Sequence, residues 1–129
     1  MHATGSFDVK LAPQTAAPGI ETAKLGRMTI DKKFHGDLAA ASLGEMLAIR
    51  TEVQGSAGYV AMERVTGSLH GRKGSFVLQH SGTMNRGVSL LALTVVPDSG
   101  TDELTGLRGS MTIEIDHGKH SYTMDYVLP

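Results

Sequence analysis

Apolar and polar residues alternate along most of the chain, which is the pattern of β-strands with one face buried and the other in water. Near the N-terminus, for example, Phe7, Val9 and Leu11 alternate with Asp8 and Lys10. The alternation predicts eight strands. They span residues 6–11, 25–35, 38–50, 59–69, 75–83, 88–96, 104–115 and 119–128.

The third segment is the one whose composition also suits a helix, since Leu43, Met46, Leu47 and Arg50 stand at helical spacing. Gly44 lies in its middle and costs a helix about 1 kcal/mol relative to alanine. The neighbouring segments all alternate as strands. We therefore predict a strand here as well.

Short turn sequences separate the segments. Those at 71–74 and 116–119 predict tight hairpin connections, and the other two are further turn signals. These sequences are GRKG at 71–74, NRG at 85–87, PDSG at 97–100 and DHGK at 116–119. Strands joined in this way form an up-and-down sheet, and eight of them tend to close because closure removes the exposed edges. The longest unpatterned stretch, 12–19, is either a lid over one barrel end or a plain connector. The sequence thus predicts an all-β fold, a single closed antiparallel barrel.

Composition narrows the class of protein. The length of 129 residues fits one domain, 1–129. Twelve basic and thirteen acidic residues leave a net charge of −1 with no basic stripe, and aromatic residues are few, which argues against a nucleic-acid partner. Cysteine is absent, so disulfides and thiolate chemistry are excluded. No signal-peptide pattern or membrane-length apolar run is present, and we expect a cytoplasmic protein without a membrane partner.

Five blocks of sequence, in order and at their spacing, resemble a bacterial family of uncharacterised single-domain proteins. They are MTIDKKFHGDL at 28–38, GSAGYVAMERVTG at 55–67, GSFVLQHSGTM at 74–84, VVPDSGT at 95–101 and LTGLRGSM at 104–111. That family is similar in fold to the allene oxide cyclase-like β-barrels, a group that includes the plant dirigent proteins. The resemblance implies an eight-stranded barrel with an internal cavity and oligomeric packing, and it implies no particular activity.

Three residues are candidates for catalysis in such a cavity: Glu45, Glu63 and His80. Each stands in a row of apolar residues on one strand face. Burial of a carboxylate without a partner is costly and raises its pKa toward that of a useful general acid or base. The alternative is that each glutamate faces water or forms a structural ion pair, and that His80 is a hydrogen-bonded core residue. The possible partners of the glutamates are Arg27, Arg64 and Arg108.

A second set combines apolar bodies with polar tips, which suits a pocket for a partly polar ligand. Its members are Phe76, Leu78, His120, Tyr122, Met124 and Tyr126. The same residues suit a plain core equally well. His117 and His120 lie three apart, which places them on opposite faces of a strand, so we expect no metal site and no cofactor.

These observations favour a barrel that binds a small apolar or amphipathic molecule. A cofactor-free isomerase or cyclase, with a buried glutamate or histidine moving a proton, is the alternative. A structural oligomer with a filled barrel is a further alternative. Residues 89–96 are apolar on both faces, and a barrel has only one inside, so a loop or a second subunit must cover the outer face. We therefore expect a homo-oligomer.

Overall fold

The computed structural model describes residues 1–129 as one closed barrel in which each strand pairs antiparallel with the next and β8 returns to β1. The strands are β1 His2–Gln14, β2 Gly26–Gly36, β3 Leu38–Arg50, β4 Ala57–Leu69, β5 Arg72–Asn85, β6 Val88–Val95, β7 Arg108–Asp116 and β8 Lys119–Val127. This up-and-down meander confirms the predicted fold class. The third segment is a strand, as its neighbours indicated.

Three hairpins are closed by two-residue turns in which both residues have positive φ, the type I′ geometry that matches the twist of the flanking strands. The turns are His70-Gly71, Arg86-Gly87 and His117-Gly118. The first one differs from the prediction of a turn at 71–74, because Arg72 already belongs to β5. The glycine at the second turn position accepts this backbone without strain.

The seventh strand begins four residues later than predicted, at Arg108 rather than at residue 104. The intervening chain first runs along β5, where the Thr101 amide donates to the Ser75 carbonyl at 2.9 Å. It then makes a 3₁₀ turn, Asp102–Leu104. Leu104 and Leu107 are fully buried, so this connection plugs one end of the barrel.

The first strand is longer than the alternation predicted, since it pairs with β2 as far as Gln14 opposite Arg27. The connector that follows contains a short 3₁₀ turn, Glu21–Ala23. It lies beside the outer face of the barrel, so it is not a lid over the open end.

The two ends of the barrel differ in packing. At the end that Leu104 plugs, inward-facing side chains form a single buried cluster. At the other end the inward-facing side chains keep much of their surface in solvent: Leu11 is 49 % exposed, Met84 42 % and Leu91 40 %. We call these the closed end and the open end. The interior is therefore packed toward the closed end and partly exposed toward the open end.

The wall is weakest between β6 and β7. Only Leu93 opposite Met111 and Thr94 opposite Ser110 pair across it, whereas β4 and β5 pair over thirteen positions. Residues 88–92 of β6 and 112–116 of β7 therefore each have one edge without a strand partner. We call this gap the β6–β7 seam.

Candidate functional site

Four polar side chains meet inside the barrel, one from each of four adjacent strands: Lys32, Ser42, Glu63 and His80. We call them the Glu63 cluster. The Lys32 ammonium donates to Glu63 Oε2 at 2.9 Å, and the Ser42 hydroxyl donates to Oε1 at 2.9 Å. His80 Nε2 lies 2.7 Å from Oε2. All four residues are buried, and no buried side-chain polar atom lacks a hydrogen-bond partner.

The register of the sheet explains why these residues meet. Lys32 stands opposite Ser42 across β2 and β3, and Gly44 stands opposite Glu63 across β3 and β4. A Cβ atom on Gly44 would lie 2.8 Å from Glu63 Cα and 2.1 Å from the Met62 carbonyl oxygen. The glycine therefore lets the two strands approach closely beside Glu63.

Two phenylalanine rings complete the surroundings of the ammonium group. The Lys32 nitrogen lies 4.8 Å from the centroid of Phe7 and 5.3 Å from that of Phe34, within the range of cation–π attraction. The charge of Lys32 is thus met on one side by a carboxylate and on the other by aromatic faces. This arrangement holds a cation where water is excluded.

Tyr59 connects this cluster to the open end. Its hydroxyl lies 3.3 Å from His80 Nδ1, and its ring is packed edge-on to the imidazole. His80 Nε2 donates to the ionised Glu63, and in the tautomer in which Nδ1 carries no hydrogen this nitrogen accepts from the Tyr59 hydroxyl. A hydrogen-bonded chain therefore runs from Tyr59 through His80 to Glu63 and Lys32.

Burial and neighbouring charges determine the protonation states of Glu63 and Tyr59 in this hydrogen-bonded series. Burial alone raises the pKa of Glu63, but the hydrogen bond from His80 and the adjacent charge of Lys32 outweigh it, so the net pKa lies below its ordinary value. Burial, and then the charge of Glu63, raise the pKa of the Tyr59 hydroxyl. At neutral pH Glu63 is a carboxylate and Tyr59 a protonated donor.

A cavity of about 280 Å³ lies above the cluster at the open end. Tyr59 forms part of its wall, and its ring lies over Gly82, where a Cβ atom would come within 2.4 Å of it. Most of the lining comes from inward-facing positions of four strands, β3 to β6. These are Met46, Ala48, Arg50, Ala57, Tyr59, Gly82, Met84, Ser89 and Leu91.

A larger hollow, of about 690 Å³, lies on the outside of the barrel, between the β1–β2 connector and β2 to β5. Leu47, Val60 and Met62 supply much of its apolar surface. Glu45 also lies here, on the outer face, where it accepts from Arg27 at 2.7 Å. The exposed ion pair is the alternative that the sequence offered for this glutamate, and Glu45 has no contact with the Glu63 cluster.

The predicted site residues are thus divided by the structure. Glu63 and His80 are brought together, and Glu45 is placed outside. Five of the six predicted ligand-binding residues lie in the packed core toward the closed end: Phe76, Leu78, Tyr122, Met124 and Tyr126. The sixth, His120, is half-buried against Phe7, with ring centroids 5.1 Å apart.

The tyrosine hydroxyls of the core already have backbone or side-chain partners. Tyr122 accepts from the Leu38 amide at 2.9 Å and donates to the His35 carbonyl at 2.9 Å. Tyr126 is hydrogen-bonded to His70. These residues do face the interior, and that part of the barrel is filled by the core.

Sequence reasoning missed Lys32, Ser42 and Tyr59. The signal for Lys32 was its position between Ile30 and Phe34, which makes it the charged member of an apolar face. A buried lysine requires a buried acceptor, and Glu63 supplies it from β4, two strands away. Pairing the two charges would have required the register, which the sequence does not display.

The structure offers no metal centre and no membrane-spanning helix. No group of three or more histidine, aspartate or glutamate side chains converges in a way that would hold a metal ion. No helix is long and apolar enough to cross a bilayer.

Comparison with known proteins gives a family and a close structural relative. Residues 3–126 match the family model described as "Protein of unknown function (DUF3224)". The chain is also similar to a crystal structure of a DUF3224 protein with unknown function from Shewanella oneidensis MR-1. Identity is 51 % and the TM-score 0.92, over 100 % of this chain and 98 % of that one. No curated protein matches the chain.

Proposed function

The chain belongs to the DUF3224 family of proteins of unknown function, and we propose that its barrel binds a small amphipathic molecule in the cavity at the open end. The observation that carries this proposal is the contrast between the two ends. Inward-facing apolar side chains stay exposed at the open end, above a polar floor in which every buried group is satisfied. Exposed apolar surface inside a barrel becomes favourable when a ligand covers it.

The lining supports a ligand with an apolar body and a polar group. Met46, Met84 and Leu91 offer an adaptable apolar wall. The Tyr59 hydroxyl is hydrogen-bonded to His80 Nδ1, and its oxygen has lone pairs that accept from a ligand. The volume of about 280 Å³ lies at the lower limit for ligand pockets, so the ligand is smaller than a typical drug.

The series of hydrogen bonds from Tyr59 through His80 to Glu63 favours a second candidate function, a cofactor-free isomerase. In that case the Tyr59 oxygen would take a proton from the substrate while His80 Nδ1 takes the Tyr59 proton, and the reverse path would return a proton to another substrate atom. Glu63 would orient and stabilise the resulting imidazolium. Its lowered pKa and its pairing with Lys32 make it a poor base itself, so binding without chemistry remains the first candidate.

The test uses the seven methionines as reporters of position. We would label their methyl groups with carbon-13 and titrate the protein with 1-octanol, a neutral amphipath, while recording methyl NMR spectra. Saturable shifts at Met46 and Met84 are expected because these residues line the cavity, and Met84 is the diagnostic one because Met46 also borders the outer hollow. Met62 reports the outer hollow, and Met111 and Met124 report the packed core.

A bulky substitution inside the cavity and a matched one outside it complete the test. Ala48→Trp fills the cavity, and we expect it to weaken octanol binding roughly tenfold or more. Ala39→Trp lies on the outer face of the same strand and should bind like the wild type. Absence of saturable shifts in the wild type, or shifts confined to Met62, would contradict the proposal and favour a filled structural barrel. Solvent-deuterium incorporation into a bound ligand that is lost in Tyr59→Phe would favour the isomerase.

A further inference from the structure

Arg50 is the only charged residue among the thirteen that line the cavity at the open end. It is the last residue of β3, two positions beyond Ala48 on the same inward-facing row and opposite Ala57 of β4. Its guanidinium forms no ion pair, whereas Arg27 on the outer face of the barrel is paired with Glu45. An unpaired arginine thus lies at the rim of an otherwise uncharged pocket.

We infer that the ligand of the open-end cavity is a small organic acid, whose carboxylate binds Arg50 at the rim and whose apolar chain lies between Met46, Met84 and Leu91. This inference rests on the proposed function and specifies the ligand class. A guanidinium offers a planar pair of donors that matches a carboxylate, which a point charge would not. The apolar wall begins directly below it.

The polar groups at the bottom of the cavity determine the orientation of the bound acid. Glu63 is an ionised carboxylate beneath Tyr59 and His80, and its charge is already paired with Lys32. A second anion brought down to this level would be repelled by Glu63 and would lose its hydration. The acid group therefore stays at the rim, and the chain points toward the Tyr59 ring.

The reach is short. Arg50 is two residues beyond Ala48, whose cross-strand partner is Tyr59, so about 7 Å along the strand separates the two levels. A chain of a few carbon atoms spans that distance. A medium-chain acid such as octanoate satisfies both the charge and the apolar wall, and octanol has the same chain without the charge.

The experiment compares the affinities of octanoate and 1-octanol near neutral pH and low ionic strength by the same methionine-methyl titration. Because Arg50 is exposed, its contribution is moderate, and we expect octanoate to bind the wild type roughly fivefold more tightly than octanol. In Arg50→Gln the preference for octanoate should be lost, so that the two ligands bind with equal affinity. Arg86→Gln, an exposed arginine at the same end that does not line the cavity, should keep the octanoate preference.

The outcomes separate the two proposals. If octanol binds at Met46 and Met84 but octanoate binds no better, the inference about the acid is wrong and the binding cavity stands. If the preference survives Arg50→Gln but is lost in Arg86→Gln, general surface charge accounts for it and the site at Arg50 is wrong. If neither ligand shifts these methyls, the proposed function itself fails.

Discussion

Lys32 and Glu63 form an ion pair in the middle of the barrel, 4 % and 1 % exposed. Removal of both charges from water is costly, and only close geometry with further hydrogen bonds offsets the cost. Ser42 and His80 supply those bonds, and the rings of Phe7 and Phe34 lie against the ammonium. The pair therefore places a fixed layer of polar groups in the middle of the barrel. Its net contribution to the free energy of unfolding is small.

The lowered pKa of Glu63 makes this ion pair sensitive to acid. The folded-state pKa lies below the ordinary 4.5, so the unfolded state binds the proton first as pH falls. The stabilisation is complete above about 4.5 and is lost as pH falls through the folded-state value. We expect urea unfolding to show a stability difference between the wild type and Glu63→Gln that narrows below this pH. Glu45→Gln, which changes an exposed glutamate, should show no such trend, and a constant difference for Glu63→Gln would contradict the assignment.

At the level of strands and connections, the sequence predicted most of the fold, because alternation and turn residues are local signals. All eight strands were predicted, including β3, where Gly44 argued against a helix. The structure gives that glycine a further reason, close approach to Glu63, which depends on a neighbouring strand and is invisible locally. The start of β7 was misjudged because Leu104 and Leu107 look like strand residues but plug the closed end.

The candidate site was harder to predict for the same reason. Glu63 and His80 could be singled out as polar residues in apolar rows, and they do meet. Their contact with each other and with Lys32 depends on the register between β2, β3, β4 and β5. Alternation also placed Tyr122, Met124 and Tyr126 on one face of β8, but which half of the interior is filled depends on a connection far away in sequence.

The β6–β7 seam should be the most easily opened part of the wall. Two residue pairs hold it, compared with six between β1 and β8 and thirteen between β4 and β5. Few ladder hydrogen bonds allow local opening at low free energy. We expect hydrogen–deuterium exchange to label peptides from residues 88–92 and 112–116 well before those from β4. The β1–β8 junction serves as the control, and equal protection at the seam and at β4 would contradict this expectation.

For the molecule as a whole, the outer surface carries large apolar residues that are exposed on β3, β4 and β6. Outward-facing residues of β3 and β4 form an apolar area in which Leu47 stands opposite Val60, with Glu45 and Arg64 as charged neighbours. Leu43 is 69 % exposed, Val60 54 % and Met62 52 %. The outer face of β6 is exposed too, with Leu90 at 75 %. Exposed apolar area of this kind marks an interaction surface, and the homo-oligomer expected from the sequence stays a prediction.

We expect a second copy of the chain to cover the outer face of β3 and β4. The apolar area lies on two regular strands, so the same face of a second molecule can pack against it about a two-fold axis. Light scattering after size exclusion should then give at least twice the mass of one chain. Val60→Lys places a charge in the middle of the area and should yield a monomer that is still folded.

Thr112→Lys is the matched control, because it adds the same charge at an exposed position on β7. It should leave the assembly unchanged. If the wild-type protein elutes with the mass of one chain, the predicted homo-oligomer is wrong. The outer face of β3 and β4 is then exposed to solvent in the free protein. An oligomer that survives Val60→Lys would place the contact elsewhere, with the exposed face of β6 around Leu90 as the next surface to change.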